Sequence, residues 1–168
     1  MVATALALVL LPAMMAFAAS SDLLTMTISN RVSLILIGGF FLFALVIGMS
    51  GSAMLWHIGA GGMVLAIAFS CFAMGWIGGG DAKLAAATAL WFGFDHLLPS
   101  LFYASLFGGA LTLLLLSFRT LPLPQYLAAQ QWVLRLHDKK SGVPYGIALA
   151  AAALLVYPDT PWMQAIPA

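Results

Sequence analysis

The sequence predicts an all-α integral membrane protein with about six transmembrane helices. Of the 168 residues, 64% are hydrophobic and 7% are charged, whereas a soluble domain carries about 25% charged residues. Polar side chains are too few to cover a surface that faces water. Backbone groups in lipid must be hydrogen-bonded internally, which helices achieve. The alternating apolar and polar segments of a transmembrane β-barrel are absent from the sequence.

The first apolar stretch covers residues 2–19 and is followed by Asp22. Residues 16–18 resemble a signal-peptide cleavage site, but no lysine or arginine precedes the stretch, as it normally does in a signal peptide. We therefore expect the stretch, including residues 1–18, to be retained as the first transmembrane helix, with Asp22 at its end. Cleavage as a signal is the alternative.

Two further apolar runs cover residues 32–49 and 53–77, with a tight turn at residues 50–52. The second of these runs ends at the three glycines of positions 78–80. Because each glycine costs about 1 kcal/mol relative to alanine inside a helix, we expect these glycines to end or kink the helix.

The fourth run, residues 82–94, is short for a span, at about 20 Å of helix. We place a turn at Asp95 and His96, and a fifth span over residues 97–118. A sixth span covers residues 143–157.

The sizeable polar segment lies between residues 119 and 142, and within it residues 126–137 predict a short helix at the membrane interface. An irregular loop is the alternative. Residues 158–168 form a short tail, and we assign residues 1–168 to a single polytopic domain.

Charge sets the predicted orientation. With six spans, the connections after the first, third and fifth hold every lysine and arginine of the chain: Arg31, Lys83, Arg119, Arg135, Lys139 and Lys140. The positive-inside rule makes that side cytoplasmic and places both termini outside. Asp22 and Asp81 then share the cytoplasmic face.

Two carboxyl groups at matching depth suggest an aspartic protease. Carboxyl groups within about 3 Å cannot both ionise, so the pair holds one proton. The ionised member draws a proton from a water that attacks a peptide carbonyl, and the protonated member donates to the carbonyl oxygen. Glycines beside Asp81 would let a substrate strand approach the backbone closely, and free backbone N–H groups there could hold the strand.

Other interpretations stay open from these residues. Asp22 and Asp81 could be helix N-caps, or they could relay ions in a transporter. Lys83 suits a side chain that extends towards the membrane surface better than a catalytic aid.

Several classes of site are disfavoured. The single cysteine, Cys71, rules out an internal disulfide or a cysteine-based zinc cluster. The histidines at positions 57, 96 and 137 have no second ligand at a useful spacing, so we expect neither a metal nor a cofactor. The net charge of +1 and the absence of a basic, aromatic-rich stretch give no indication of nucleic-acid binding.

Several motifs resemble those of a known family. Gly78-Gly79-Gly80-Asp81 fits the Gly-x-Gly-Asp signature of intramembrane aspartic proteases, and Asp81-Ala82-Lys83-Leu84 continues as in type IV prepilin peptidases. Asp22 followed by Ile28-Ser29-Asn30 resembles that family's first motif. The short members that serve tight-adherence (Flp) pili resemble this chain at Leu90-Trp91-Phe92-Gly93, Leu121-Pro122-Leu123-Pro124 and residues 142–148. The resemblance covers nearly the whole chain.

The resemblance implies a bacterial inner-membrane endopeptidase that removes prepilin or pseudopilin leaders at the cytoplasmic face. Asp22 and Asp81 would be the catalytic pair. Gly78 and Gly80 would shape the loop, Asn30 would fix the first motif, and Lys83 lies in the signature. Longer relatives also N-methylate the product through an added cytoplasmic region, which this sequence lacks, so we expect peptidase activity alone.

One departure concerns residues 23–27, which are uncharged here although family members often carry charges there. Asp22 is therefore expected in a deeper or drier position, and the cleavage preference stays open. The oligomeric state and the particular pilin are also open. The alternatives to a peptidase are a non-catalytic membrane subunit of a pilus or secretion assembly and a small transporter.

Overall fold

In the computed structural model, which describes residues 2–164 and the side chains of residues 8–163, the chain is helical and has no strand within that range. The helices are α1 (Val2–Thr25), α2 (Asn30–Val46), α3 (Gly51–Ala73), α4 (Gly79–Phe118), α5 (Gln125–Ala128), α6 (Gln131–His137), α7 (Tyr145–Val156) and α8 (Pro161–Gln164). A 3-10 turn, Tyr157–Asp159, links α7 to α8.

Three helices of the described chain, α1, α3 and α4, are long and apolar enough to cross a bilayer. Two shorter apolar helices, Asn30–Val46 and Tyr145–Asp159, accompany them. Large apolar side chains such as Leu45 and Leu55 are exposed on the outside of the bundle, as expected for a surface that faces lipid. These features confirm an all-α membrane protein, while the number of crossings and the side of each terminus stay predictions.

Helix α4 contains a sharp break at Gly93, where φ is 60° and ψ is −174°. Residues 85–89 before the break and residues 97–104 after it contribute to the lining of one small cavity, so the second half of α4 folds back alongside the first. The predicted turn at Asp95 and His96 is wrong in position, because the chain turns at the glycine, which adopts a positive φ without steric cost. Both ends of α4 therefore lie at the same end of the bundle.

The break frees backbone carbonyls from their intrahelical partners, and side chains outside α4 bind two of them. The His57 ring in α3 donates from Nδ1 to the Leu90 carbonyl over 2.9 Å. The Trp162 indole N–H donates to the Trp91 carbonyl, and Trp162 is fully buried. The segment predicted as a short tail thus includes a helix, α8, whose tryptophan completes the core; residues 165–168 lie outside the described part.

Two helices, α2 and α7, each pack against both α1 and α4. The main core joins these four helices and α8; its residues include Leu11, Met15, Leu36, Phe40, Phe43, Leu84, Leu90, Trp91, Ala153 and Trp162. A smaller cluster joins α3 to both halves of α4 through Ala60, Val64, Ala86, Ala89 and Leu97. Packing through α2 and α7 therefore holds the end of α1 close to the start of α4.

Two predicted boundaries differ from the structure. Helix α3 ends at Ala73, and its last turn is closed by the Trp76 N–H, which donates to the Cys71 carbonyl over 2.9 Å. The glycines of positions 79 and 80 consequently begin α4 instead of ending α3. The helix predicted over residues 126–137 is two short helices, α5 and α6, because Gln130 is extended between them.

Candidate active site

Asp22 lies in the last turn of α1 and is 5% exposed. Its Oδ2 atom accepts a hydrogen bond of 2.7 Å from the backbone N–H of Gly146, at the start of α7. Asp22 is not a helix N-cap, since the cap of α2 is Ser29, whose hydroxyl accepts from the Arg31 N–H. The interpretation of Asp22 as an N-cap of a helical turn before Ile28 is therefore wrong, and its carboxylate binds the first turn of α7.

Asp81 is the third residue of α4, and the N-cap position belongs to Gly78. The Asp81 carboxylate folds back over Gly78, since a Cβ added at Gly78 would lie 2.8 Å from Asp81 Oδ2. This contact is the side-chain half of a capping box. The other oxygen, Oδ1, is buried and has no hydrogen-bond partner among the described residues.

The two carboxyl groups are close enough for their charges to interact. The loop between α1 and α2 packs on the first turn of α4 at Gly80, where an added Cβ would lie 3.1 Å from Ile28 Cβ and 3.4 Å from its backbone nitrogen. A side chain at position 80 would separate the two segments. The structure thus brings together four predicted site residues: Asp22, Asp81, Gly78 and Gly80.

Both aspartates line a cavity of about 750 Å³. Its other walls combine glycines with apolar and aromatic side chains; the remaining lining residues are Met26, Gly75, Trp76, Ile77, Gly78, Ala85, Ser141, Gly142, Val143, Tyr145 and Leu149. This size and lining are typical of small-molecule or peptide pockets, in which a few polar groups stand in an apolar wall. Two carboxyl groups in such a wall can hold a water and pass a proton between them.

The other two predicted supporting residues lie beside the cavity and do not line it. The Lys83 ammonium donates to Asn30 Oδ1 over 2.8 Å, and both side chains are exposed. This bond ties the first turn of α4 to the first turn of α2. The structure brings Lys83 and Asn30 together. Their hydrogen bond links α2 to α4 beside the cavity, and neither side chain contacts the Asp22 or Asp81 carboxylate.

The basic residues gather near the same end of the bundle as the aspartates. Arg135 donates from Nη1 to the Leu24 carbonyl at the end of α1 over 2.8 Å. The buried Arg119 donates to the Leu136 carbonyl over 2.8 Å and to the Gly142 carbonyl over 2.7 Å. Because Gly142 lines the cavity, Arg119 fixes one of its walls.

The segment between Ser141 and Leu149 supplies one wall of the cavity. No site residue was predicted in it, although residues 142–148 were among the stretches that resemble the family. A signal was present, because this segment combines two glycines with a proline at the start of an apolar run. Such residues permit a close backbone approach. Among the described residues, no group of three histidine, cysteine, aspartate or glutamate side chains is arranged to hold a metal ion.

Comparison with known families gives one match: the model of the type IV leader peptidase family covers residues 9–113. Asp22 and Asp81 lie inside the matched region, whereas the cavity wall at residues 141–149 lies outside it. No curated protein and no solved structure matches the chain. The match confirms the resemblance inferred from the motifs, and the Flp subtype stays a prediction.

Proposed function

We propose, from the premise that the chain belongs to the type IV leader peptidase family, that it cleaves the N-terminal leaders of type IV or Flp prepilins, or of pseudopilins, as an aspartic endopeptidase. One observation carries this proposal. Two buried or half-buried carboxyl groups, Asp22 and Asp81, come from different helices and line the same cavity.

The hydrogen bonds of the two carboxyl groups favour a shared task. Asp22 Oδ2 accepts a hydrogen bond from the Gly146 N–H. Asp81 Oδ2 lies against Gly78, and Asp81 Oδ1 has no hydrogen-bond partner within the described chain. An oxygen of each group therefore remains for water or substrate. A buried carboxyl oxygen without a partner is costly in a purely structural role, and a catalytic role explains why it is kept.

In the proposed reaction the pair holds one proton. The ionised carboxylate takes a proton from water, and the water oxygen bonds to the scissile carbonyl carbon while the protonated carboxyl donates to the carbonyl oxygen. The carbon–nitrogen bond then breaks as the leaving nitrogen receives a proton from one carboxyl group, and the other carboxylate takes back a proton from a hydroxyl group of the tetrahedral intermediate. One water is consumed, and the pair returns to its starting state. Such protonation belongs to the dyad as a unit, so neither aspartate has a fixed role.

The proposed setting is the bacterial inner membrane, crossed about six times with both termini outside. The substrate keeps its apolar helix in the bilayer and presents its leader at the cytoplasmic face, where the basic residues Arg119 and Arg135 flank the cavity. We propose peptidase activity without methylation. The described loops between α1 and α4, residues 26–29, 47–50 and 74–78, are too short to hold an added catalytic region.

A second candidate is a non-catalytic membrane subunit of a pilus or secretion assembly. The contact of Asp81 with Gly78 favours it, because an acidic residue in the first turn stabilises a helix without any chemistry. This candidate leaves the unpaired Asp81 Oδ1 without an explanation.

The test is cleavage of a candidate prepilin co-expressed with wild type, Asp22→Asn or Asp81→Asn. We expect wild type to shorten the pilin and both variants to accumulate precursor at normal enzyme abundance. Asp95→Asn is the matched control, because Asp95 is exposed beyond the Gly93 break and does not line the cavity. Cleavage by Asp22→Asn would show that the pairing is wrong. If wild type cleaves no prepilin-type substrate, the non-catalytic subunit becomes the better proposal.

A further inference from the structure

The start of α7 contacts Asp22 directly, although the two segments are far apart in the sequence. The backbone N–H of Gly146 donates to Asp22 Oδ2 over 2.7 Å. The first N–H groups of a helix have no intrahelical acceptor, and the helix dipole favours a negative charge at this end. The Gly146 N–H is therefore a preorganised donor for the Asp22 carboxylate.

Position 146 also has no room for a side chain. An added Cβ would lie 2.8 Å from Asp22 Oδ2, 3.1 Å from Asp22 Cβ and 2.7 Å from Ile28 Cδ1. Contacts below 3.0 Å force something to move. The Asp22 carboxyl group and the Ile28 side chain would have to move. Asp22 can therefore occupy its observed position only because residue 146 has no side chain.

Gly146 is not among the described residues that line the cavity, whereas its neighbours Val143 and Tyr145 are. Its contact is with the carboxyl group and not with the space that a substrate would occupy. We propose that Gly146 is a positioning residue, which holds Asp22 in the orientation required for peptide cleavage; this inference rests on the proposed function. It extends the site beyond residues 9–113, the part matched by the family.

Arg119 stabilises the segment that precedes Gly146. Its guanidinium group binds the Leu136 and Gly142 carbonyls and so fixes the chain that leads into α7. Helix α7 also packs along α1. The Gly146 N–H is thus held in place by the Arg119 hydrogen bonds and by the packing of α7 on α1.

The experiment measures kcat and KM of wild type, Gly146→Ala and Val143→Ala with a synthetic prepilin peptide in lipid nanodiscs. Misplacement of a catalytic group by about 1 Å can cost about 100-fold in rate, so we expect Gly146→Ala to lower kcat by about that factor with little change in KM. Val143→Ala should change mainly KM, because Val143 lines the cavity and has no contact of this kind with Asp22. Gly109→Ala is the control for adding a methyl group, since nothing lies within 4 Å of that Cβ.

A second variant separates positioning from folding. Gly146→Ala combined with Ile28→Val removes the Cδ1 atom that the new methyl group would meet, while the contact with Asp22 remains. We expect the double variant to regain normal abundance and thermal stability but not kcat. Recovery of kcat in the double variant would overturn the proposal, because the defect would then come from Ile28 alone.

A third readout needs no substrate. Dicyclohexylcarbodiimide modifies protonated carboxyl groups in apolar sites. The methyl group of Gly146→Ala would displace Asp22 Oδ2 from the backbone N–H of residue 146, and the carboxylate of Asp22 is less stable without that hydrogen bond. Mass spectrometry should therefore find about tenfold faster labelling of Asp22 in Gly146→Ala than in wild type at pH 7. Wild-type labelling and kcat in a folded Gly146→Ala would overturn the inference. If wild type cleaves nothing, the proposed function fails, and labelling alone decides whether Gly146 controls Asp22.

Discussion

The Nδ1 atom of His57 lies 2.9 Å from the carbonyl oxygen of Leu90, three residues before α4 breaks at Gly93. The bond ties α3 to the point at which α4 reverses, at the end of the bundle away from the aspartates. It gives His57 a structural role in the bundle. The His57 ring N–H takes the place of an intrahelical N–H as the donor to the Leu90 carbonyl.

We expect His57→Phe to lower the free energy of unfolding by about 1 to 3 kcal/mol, because the buried Leu90 carbonyl loses its donor. Prepilin cleavage by the folded variant should be unchanged. Thermal unfolding in detergent measures the first effect, and His96→Phe is the control, because His96 is only half-buried. A loss of kcat without a loss of stability would place His57 in the reaction.

Substitution of Gly93 should be more damaging than substitution of Gly48. Both glycines have a positive φ, and the ψ of −174° at Gly93 places it in a region that essentially only glycine occupies. Only at Gly93 would a Cβ also meet the His57 ring, at 3.1 Å, while Gly48 has nothing within 4 Å. We expect Gly93→Ala to lower the free energy of unfolding by at least about 1 kcal/mol more than Gly48→Ala. Equal losses in denaturant titrations would show that neither the backbone conformation of Gly93 nor the contact with the His57 ring adds to the cost.

Loss of the Arg119 side-chain bonds should loosen a wall of the cavity. Arg119→Gln cannot hold the Leu136 and Gly142 carbonyls together, and hydrogen bonds to a charged group are worth about 1.5–3 kcal/mol. We expect KM for a prepilin peptide to rise about tenfold, with a smaller change in kcat. Arg31→Gln, at an exposed position at the start of α2, is the control. An unchanged KM in a folded Arg119→Gln would mean that this wall does not contact substrate.

Lys83 and Asn30 should behave as a coupled pair outside the chemistry. Their side chains share one exposed hydrogen bond, so Lys83→Met and Asn30→Ala should each reduce stability slightly, and the double variant should cost less than the sum. A double-mutant cycle should give a coupling of about 0.5 kcal/mol. If Lys83→Met abolishes cleavage while Asn30→Ala does not, Lys83 acts on the reaction independently of this bond.

The helices that consist of long apolar runs could be predicted from the amino-acid composition of those runs. Long apolar runs require internally bonded backbone in lipid, so α1 to α4 and α7 were expected, and the rarity of carboxylates singled out Asp22 and Asp81. The sequence did not locate the break at Gly93, because a single glycine in an apolar run is common in membrane helices. Gly146 was missed as a site residue because its contribution is a backbone N–H and a missing side chain.

The role of Gly80 leads to the most discriminating prediction. From the sequence, the glycines beside Asp81 were expected to admit a substrate strand. In the structure Gly80 lies against Ile28 of the α1–α2 loop: a Cβ added at Gly80 would lie 3.1 Å from Ile28 Cβ and 3.4 Å from its backbone nitrogen. A side chain there would push away the loop that follows Asp22.

We therefore expect Gly80→Ala to lower kcat about tenfold or more, because a small displacement of one carboxylate is costly. Gly79→Ala is the matched control: its Cβ would meet only the exposed Phe72 ring, at 3.2 Å, and that ring can rotate away. Peptide cleavage by the two variants, compared at equal abundance, measures the difference. If Gly80→Ala raises KM and leaves kcat unchanged, the glycine serves substrate approach, as the sequence suggested, and not the spacing of Asp22 and Asp81.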